Sequence, residues 1–355
     1  MQEPLPIELL TSPHLKHPVA TDVIMRHVAY ALMPVAAFSV FAFGTSALLL
    51  LLVATASCVL AEHLICRLSD APSTVRDWSA VVTGMLLALT LPPSFPLWMA
   101  AVGGAISIAL GKALFGSLGF NIFNPALVGR AFLQAAFPAA IATWTPAFAH
   151  GRFTQLIPTT LTAPFLRPPG VAEFISNAAV DGFSGATPLA LLKYERVSTE
   201  TLKLLTGMTA GSAGETSAIL IALCGIYLIA RKMMDWRIPA AILGTVFLVS
   251  LALYVHDPSG YPSPGFMLCS GGLMLGAVFM ATDMVTSPTT PLGVWIFGGL
   301  IGLITLLIRL KGGLPEGVMY AILIGNAVTP IIENLTQPRV YGTPKVTAKK
   351  WHWGQ

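Results

Sequence analysis

Four stretches of this chain hold residues whose types and spacing suit chemistry. The first is Asp181-Gly182-Phe183-Ser184-Gly185-Ala186-Thr187-Pro188-Leu189, an acidic turn that presents two hydroxyls. Gly182 and Gly185 admit positive φ, and Pro188 holds Thr187 extended. Such a segment either fits another enzyme's active site as a strand-like substrate or is a plain surface turn. The second, Gly116-Ser117-Leu118-Gly119-Phe120-Asn121-Ile122-Phe123-Asn124-Pro125-Ala126-Leu127-Val128-Gly129, ends in a helix start. Asn124 suits the N-cap and Pro125 the first turn. The third is Thr282-Asp283-Met284-Val285-Thr286-Ser287-Pro288-Thr289-Thr290, where Asp283 either binds a cation with nearby hydroxyls and carbonyls or caps a helix end. Last, Arg130 and Glu333 are charges inside apolar runs, open to pairing or to snorkelling at a helix end.

Composition says what must position these groups. The chain has 355 residues, 55% hydrophobic and only 10% charged, whereas soluble domains run near one quarter charged. At about 20 apolar residues per crossing, ten crossings need roughly 200 residues, which the chain supplies. A nucleic-acid binder, a secreted disulfide scaffold and a single-span anchored domain are excluded. The net charge of +4 is too small to imply a polyanionic partner. Cys58, Cys66, Cys224 and Cys269 lie far apart, with no spacing for zinc or an iron–sulfur cluster. The segment Met1–Ile24 lacks the pattern of a cleaved signal peptide.

The expected fold is an all-α polytopic membrane protein. Apolar runs read as crossings at 25–43, 46–65, 79–92, 96–111, 124–143, 216–231, 238–255, 265–281, 292–309 and 316–333. The third and eighth are short and end in proline-rich breaks. Basic residues Lys16, Arg26, Arg67, Arg76, Lys112, Arg231, Lys232, Arg237 and those of the tail fall at ends of one parity. By the positive-inside rule both termini are then cytoplasmic and the long polar segment lies outside. The expected divisions are a cytoplasmic segment 1–24, a five-helix repeat 25–143, a periplasmic loop 144–215, a second five-helix repeat 216–334 and a basic cytoplasmic tail 335–355. Gly84, Trp98, Gly103-Gly104 and Asn124-Pro125 in the first half find counterparts in Gly276, Trp295, Gly298-Gly299, Asn326 and Pro330 in the second. An odd number of crossings per half makes the repeat inverted, a design in which broken helices meet near the midplane.

The motifs also carry a resemblance. The stretch 181–187 is similar to the flavinylation sequence Asp-Gly-x-Ser/Thr-Gly/Ala-Ala-Thr/Ser. The segment 116–126 resembles the Gly-x-x-Gly-x-Asn-x-Phe-Asn-Pro-Ala block of the membrane flavin subunits of Rnf and Na⁺-pumping NADH:quinone oxidoreductases. Thr282-Asp283-Met284-Val285-Thr286 and Gln337-Pro338-Arg339-Val340-Tyr341-Gly342 match the same family, and the resemblance runs along nearly the whole chain. Lack of a long N-terminal extension favours the D-subunit branch of Rnf over its quinone-reducing paralogue.

The resemblance implies FMN joined by a phosphodiester to Thr187, attached by a periplasmic FMN transferase (ApbE) with FAD as donor. It further implies a non-covalent riboflavin at Asn121 and Asn124, whose amides can donate to and accept from the pyrimidine edge of an isoalloxazine. Asp283 and Arg130 are candidate supports for that flavin. The implied function is electron transfer across the bacterial inner membrane within a ferredoxin:NAD⁺ oxidoreductase coupled to Na⁺ or H⁺ movement. Implied partners are membrane subunits A and E, flavoprotein G and iron–sulfur subunits B and C. The rival from another class is a channel of the urea-transporter type, since fold does not fix function.

Overall fold

A backbone in hydrocarbon must satisfy its own polar groups, and this chain does so with helices. A computed structural model describes residues 20–70, 74–116, 119–166, 169–171, 186–196, 199–207, 209–215 and 217–338, and among them there is no strand. The long helices are α1 (Thr21–Phe43), α2 (Thr45–Leu68), α4 (Leu97–Gly111), α7 (Arg237–His256), α8 (Pro291–Lys311) and α9 (Val318–Thr336). Shorter ones are α3 (Ser79–Thr90), α5 (Pro125–Ala136) and α6 (Ala218–Ala230). Among the described residues, six helices are long and apolar enough to cross a bilayer, α4 together with the turn that follows it. The protein is a multi-pass membrane protein.

Each expected crossing has a helical counterpart, but four do not run through. At 1.5 Å per residue, the 12 residues of α3 and the 13 of α6 each cover only about 18–20 Å of a roughly 30 Å core. The fifth expected crossing, 124–143, is two pieces: α5 stops at Ala136 and a short turn, Pro138–Ile141, follows. Pro138 has no N–H and forces Phe137 out of helical geometry, with φ −131° and ψ 57°. The eighth is broken as well, into Pro264–Cys269 and Leu273–Met280, the latter ending in the π-turn Gly276–Met280. The break falls at Ser270-Gly271-Gly272, where Gly271 takes φ +64°, a conformation that suits only glycine without strain.

Amphipathicity here is inverted relative to a soluble bundle. On α2, Ala47, Leu50, Leu51, Ala54 and Cys58 are buried, while Leu48, Leu52, Leu60 and Leu64 face outward. That outer face is the lipid contact. By contrast α3 is buried on every side, from Ser79 and Ala80 to Leu89 and Thr90, as a central helix must be. Its open C-terminal carbonyls are met from the segment just before the second half: Ala213 N donates to Leu91 O (2.9 Å) and Gly214 N to Leu89 O (2.6 Å). The chain thus dips inward at 211–215 before α6 begins.

The two halves pack alike: α2 lies along α4 as α7 lies along α8, and α4 along α5 as α8 along α9. Small residues permit these approaches. A Cβ on Gly84 would sit 2.5 Å from Thr55 Cα and 3.0 Å from Ala54 O, backbone atoms that cannot yield. Gly84→Val should therefore push α3 from α2 and cost about 1–3 kcal/mol. The expected outcome is a lower thermal midpoint of the detergent-purified protein, read by size-exclusion profile after heating. An unchanged midpoint would show that α2 and α3 are not closely packed.

Candidate functional site

Three of the residues singled out by sequence meet in one cavity. Asn121, Asn124 and Asp283 line a space of about 70 Å³ together with Lys112, Thr282 and Met234. Local geometry explains how they get there. Asn124 is the N-cap of α5: its side chain accepts from Ala126 N (3.0 Å), and Pro125 fills the first turn. The other end of the same amide donates to Met280 O (3.2 Å), tying α5 to the broken segment. Asn326 closes the arrangement, accepting from Asn124 N (3.1 Å) and donating to Ile322 O (3.2 Å). These are the two asparagines that the repeat sets in correspondence.

Asn121 differs from Asn124. Its Nδ2 donates to Phe123 O (3.3 Å), but its buried Oδ1 has no hydrogen-bond partner. An orphaned buried acceptor points to a missing donor. Asp283 accepts from Val285 N (3.2 Å), an Asx turn that shapes the break rather than capping a helix. Glu333 has a structural role away from the cavity, accepting from Thr289 N (2.9 Å) and Thr289 Oγ1 (3.0 Å).

Lys112 was legible in the sequence only as a topology signal. Its buried ammonium donates to Glu62 Oε1 (2.7 Å) and Ser79 Oγ (2.6 Å) and lies 3.6 Å from Asp77 Oδ2. Glu62 also accepts from the Thr74 hydroxyl. The network joins α2, the start of α3 and the end of α4 at the rim of the asparagine cavity. Nothing in the spacing from 62 to 112 announces it.

Arg130 and Thr187 lie apart from this cavity. Arg130 pairs with Glu316 Oε2 (3.0 Å) and lines a second cavity of about 170 Å³. Thr187 is buried and caps the short helix Pro188–Ala190, its Oγ1 accepting from Ala190 N (3.3 Å). The acidic turn 181–185 and the tail motif from Arg339 to Gly342 lie outside the described residues. Just beyond Thr187, Leu189, Lys193 and Arg196 border a cleft of about 820 Å³ with Tyr254, Tyr261 and Lys311. Partial burial holds the Lys193 ammonium below the usual lysine range, and it donates to Leu314 O (2.8 Å) and Ile308 O (3.3 Å).

Broken helices around buried polar cavities define a class of polytopic proteins with a site inside the bundle. The family follows from comparison: a model of the NQR2, RnfD, RnfE family matches residues 8–342. The chain belongs to this family. It is 40% identical over 343 residues to the D subunit of the proton-translocating ferredoxin:NAD(+) oxidoreductase complex of Clostridium ljungdahlii, covering 94% of this chain and 95% of that one. It is also 40% identical over 346 residues to the D subunit of the Na(+)-translocating ferredoxin:NAD(+) oxidoreductase complex of Acetobacterium woodii, covering 96% and 97%. The D subunit of the ion-translocating oxidoreductase complex of Halorhodospira halophila is 36% identical over 354 residues, covering 96% and 97%.

The Lys112–Glu62 pair offers a direct test of the site's rim. Removing one partner of a buried pair leaves an uncompensated charge, worth about 3–5 kcal/mol. Lys112→Ala should lower the thermal midpoint strongly, and adding Glu62→Ala should restore part of the loss. Equal and additive losses in the two single variants would show that the charges do not interact.

Proposed function

We propose that this chain is the D subunit of an Rnf-type, ion-translocating ferredoxin:NAD⁺ oxidoreductase, and that it carries electrons across the bacterial inner membrane between two flavins. The observation that carries the reading is the meeting of Asn121, Asn124 and Asp283 in one cavity, in a chain that also holds a flavinylation sequence ending at Thr187. Near full-length likeness to subunits named for that activity supports it.

The donor set of the asparagine cavity suits a riboflavin. Asn121 Oδ1, free of partners, would accept from the ring's imide N–H, whereas Asn124 is engaged at both ends and holds the loop. At about 70 Å³ the cavity is smaller than the 300–1,000 Å³ of cofactor clefts. Met25, Met233 and Met234 line it, and these flexible side chains are the ones that would move aside. At the other end, Thr187 would hold FMN through its Oγ1. That oxygen is buried as a helix cap, so the transferase must reach Thr187 before Pro188–Ala190 seats or while it is released. Lys193, Arg196 and Lys311 would then hold the phosphate, and Tyr254 and Tyr261 offer ring faces. When bound, such flavins supply electron transfer; the chain supplies position and electrostatics.

Orientation follows from the bundle's ends. The start of α1 meets the end of α6, with His27 Nδ1 and Tyr227 Oη 2.8 Å apart, on the basic side. Arg152 O accepts from Thr45 N (3.0 Å) at the α1–α2 turn, and Tyr194 Oη donates to Gly313 O (2.9 Å) at the α8–α9 turn. Arg152 and Tyr194, both within 144–215, therefore sit at the opposite end, which supports a periplasmic loop 144–215, cytoplasmic termini and two inverted repeats, 25–143 and 216–334. Partners in this reading are subunits A, E, G, B and C and the transferase, with Na⁺ or H⁺ as the ion moved.

Two measurements test the reading. Co-expressed with an FMN transferase, the wild-type band should fluoresce after denaturing electrophoresis, Thr187→Ala should be dark and Ser184→Ala should stay bright. Asn121→Ala should lose acid-extractable riboflavin while keeping the covalent band. A dark wild-type band with no extractable flavin would favour the channel reading, and quinone reduction without ferredoxin would favour the quinone-reducing paralogue.

A further inference from the structure

The second cavity lies where the broken ends of both halves converge. Thr90 at the end of α3, Ser212 and Glu215 of the inward dip, Gly272 at the break and Glu316 of the α8–α9 turn all border it, with Arg130 from α5. Two carboxylates and two guanidiniums gather here. The Glu215 and Glu316 carboxyls border the same space, Glu215 beside Gly272 and Glu316 beside Gly271. Arg130 holds Glu316 at 3.0 Å, while Arg309 spends its terminal nitrogens on carbonyls, Met267 O at 2.6 Å and Ser270 O at 2.8 Å.

The hydrogen-bond inventory of this cluster does not close. Glu215 Oε1, Glu316 Oε1 and Arg130 Nε are buried without a partner, and Arg130 is only 8% exposed. Two ionised carboxylates sharing one small buried space repel each other, and a proton taken up by one of them removes that repulsion. A space of about 170 Å³ also has room for roughly five waters, at about 30 Å³ each. Arg130 and Arg309 hold fixed positive charge on two sides, which opposes a metal cation between the carboxylates but not a covalently bound hydrogen. Besides these, Lys193 is turned to the carbonyls of the α8–α9 turn and Tyr320 adds a neutral hydroxyl.

We propose that Glu215 and Glu316 form a carboxyl pair that binds one exchangeable proton inside the bundle, with Arg130 positioning the pair. No bond but the O–H forms or breaks, and no electron moves at the site itself. The inference stands independently of which flavins the chain carries, because Glu215, Glu316 and Arg130 line neither the asparagine cavity nor the cleft beyond Thr187.

A carbodiimide that attacks protonated carboxyls in apolar surroundings tests it on the intact complex in native membranes. Mass spectrometry of the wild type should find the adduct on Glu215 or Glu316, and labelling should fall as pH rises. Replacing Na⁺ by choline at constant ionic strength should leave labelling unchanged. The isosteric variants Glu215→Gln and Glu316→Gln should each abolish labelling of the remaining acid at neutral pH, since the pair no longer needs to share. Protection by Na⁺ would overturn the proposal in favour of a metal-cation site. Absence of any adduct on either wild-type residue would overturn it outright.

Discussion

Within hydrocarbon an unpaired peptide group costs several kcal/mol, and this requirement governs how the bundle may be broken. A helix that stops halfway leaves carbonyls open. The chain answers by bringing a turn of the segment between the halves to meet them, as Ala213 and Gly214 meet Leu91 and Leu89. Arg309 does the same for the break at Ser270, its guanidinium donating to two carbonyls. Each interruption thus demands a partner from elsewhere in the sequence. The polar cavities are what remains between such partners.

This explains why functional candidates collect at breaks and not along the long helices. The faces of α2 or α7 offer lipid a row of Leu side chains, and a charge there would lack an answer. At a break, backbone amides, hydroxyls and carboxylates are already needed to satisfy one another. Asn124 illustrates the economy, since one amide caps α5 and fastens the broken segment, while its own N–H is met by Asn326. Asn121, three residues earlier, has no such duty on its oxygen, which is buried without a partner.

Much of the fold was legible in the sequence because apolar runs and prolines are local signals. The ten runs correspond to ten helical regions, and Asn124-Pro125 starts a helix as its chemistry requires. Length alone could not separate a full crossing from a half one: the run 124–143 holds enough apolar residues to span, yet Pro138 divides it. Site residues were legible where they sat in compact motifs. Lys112, Glu62, Glu215 and Glu316 carried no motif: Lys112 meets Glu62 across 50 residues and Arg130 meets Glu316 across 186, and only tertiary packing unites such positions. Arg130 stood out as a charge in an apolar run, but its partner did not.

The two cavities share a wall, and its construction links them. The π-turn Gly276–Met280 and the first turns of α5 stand between them. Val278 and Phe279 face the asparagine cavity, whereas Gly276 and Met280 face the carboxyl pair, and the Met280 carbonyl is held by Asn124. A π-turn leaves its carbonyls looser than an α-helix would, and such turns gather at functional sites. A shift at Asn124 is therefore passed directly to the residue that borders the carboxylates. Leu127, one turn along α5, also borders the Arg130 cavity. Asn124 and Leu127 thus set the two cavities on consecutive turns of one helix, so that a single wall serves both.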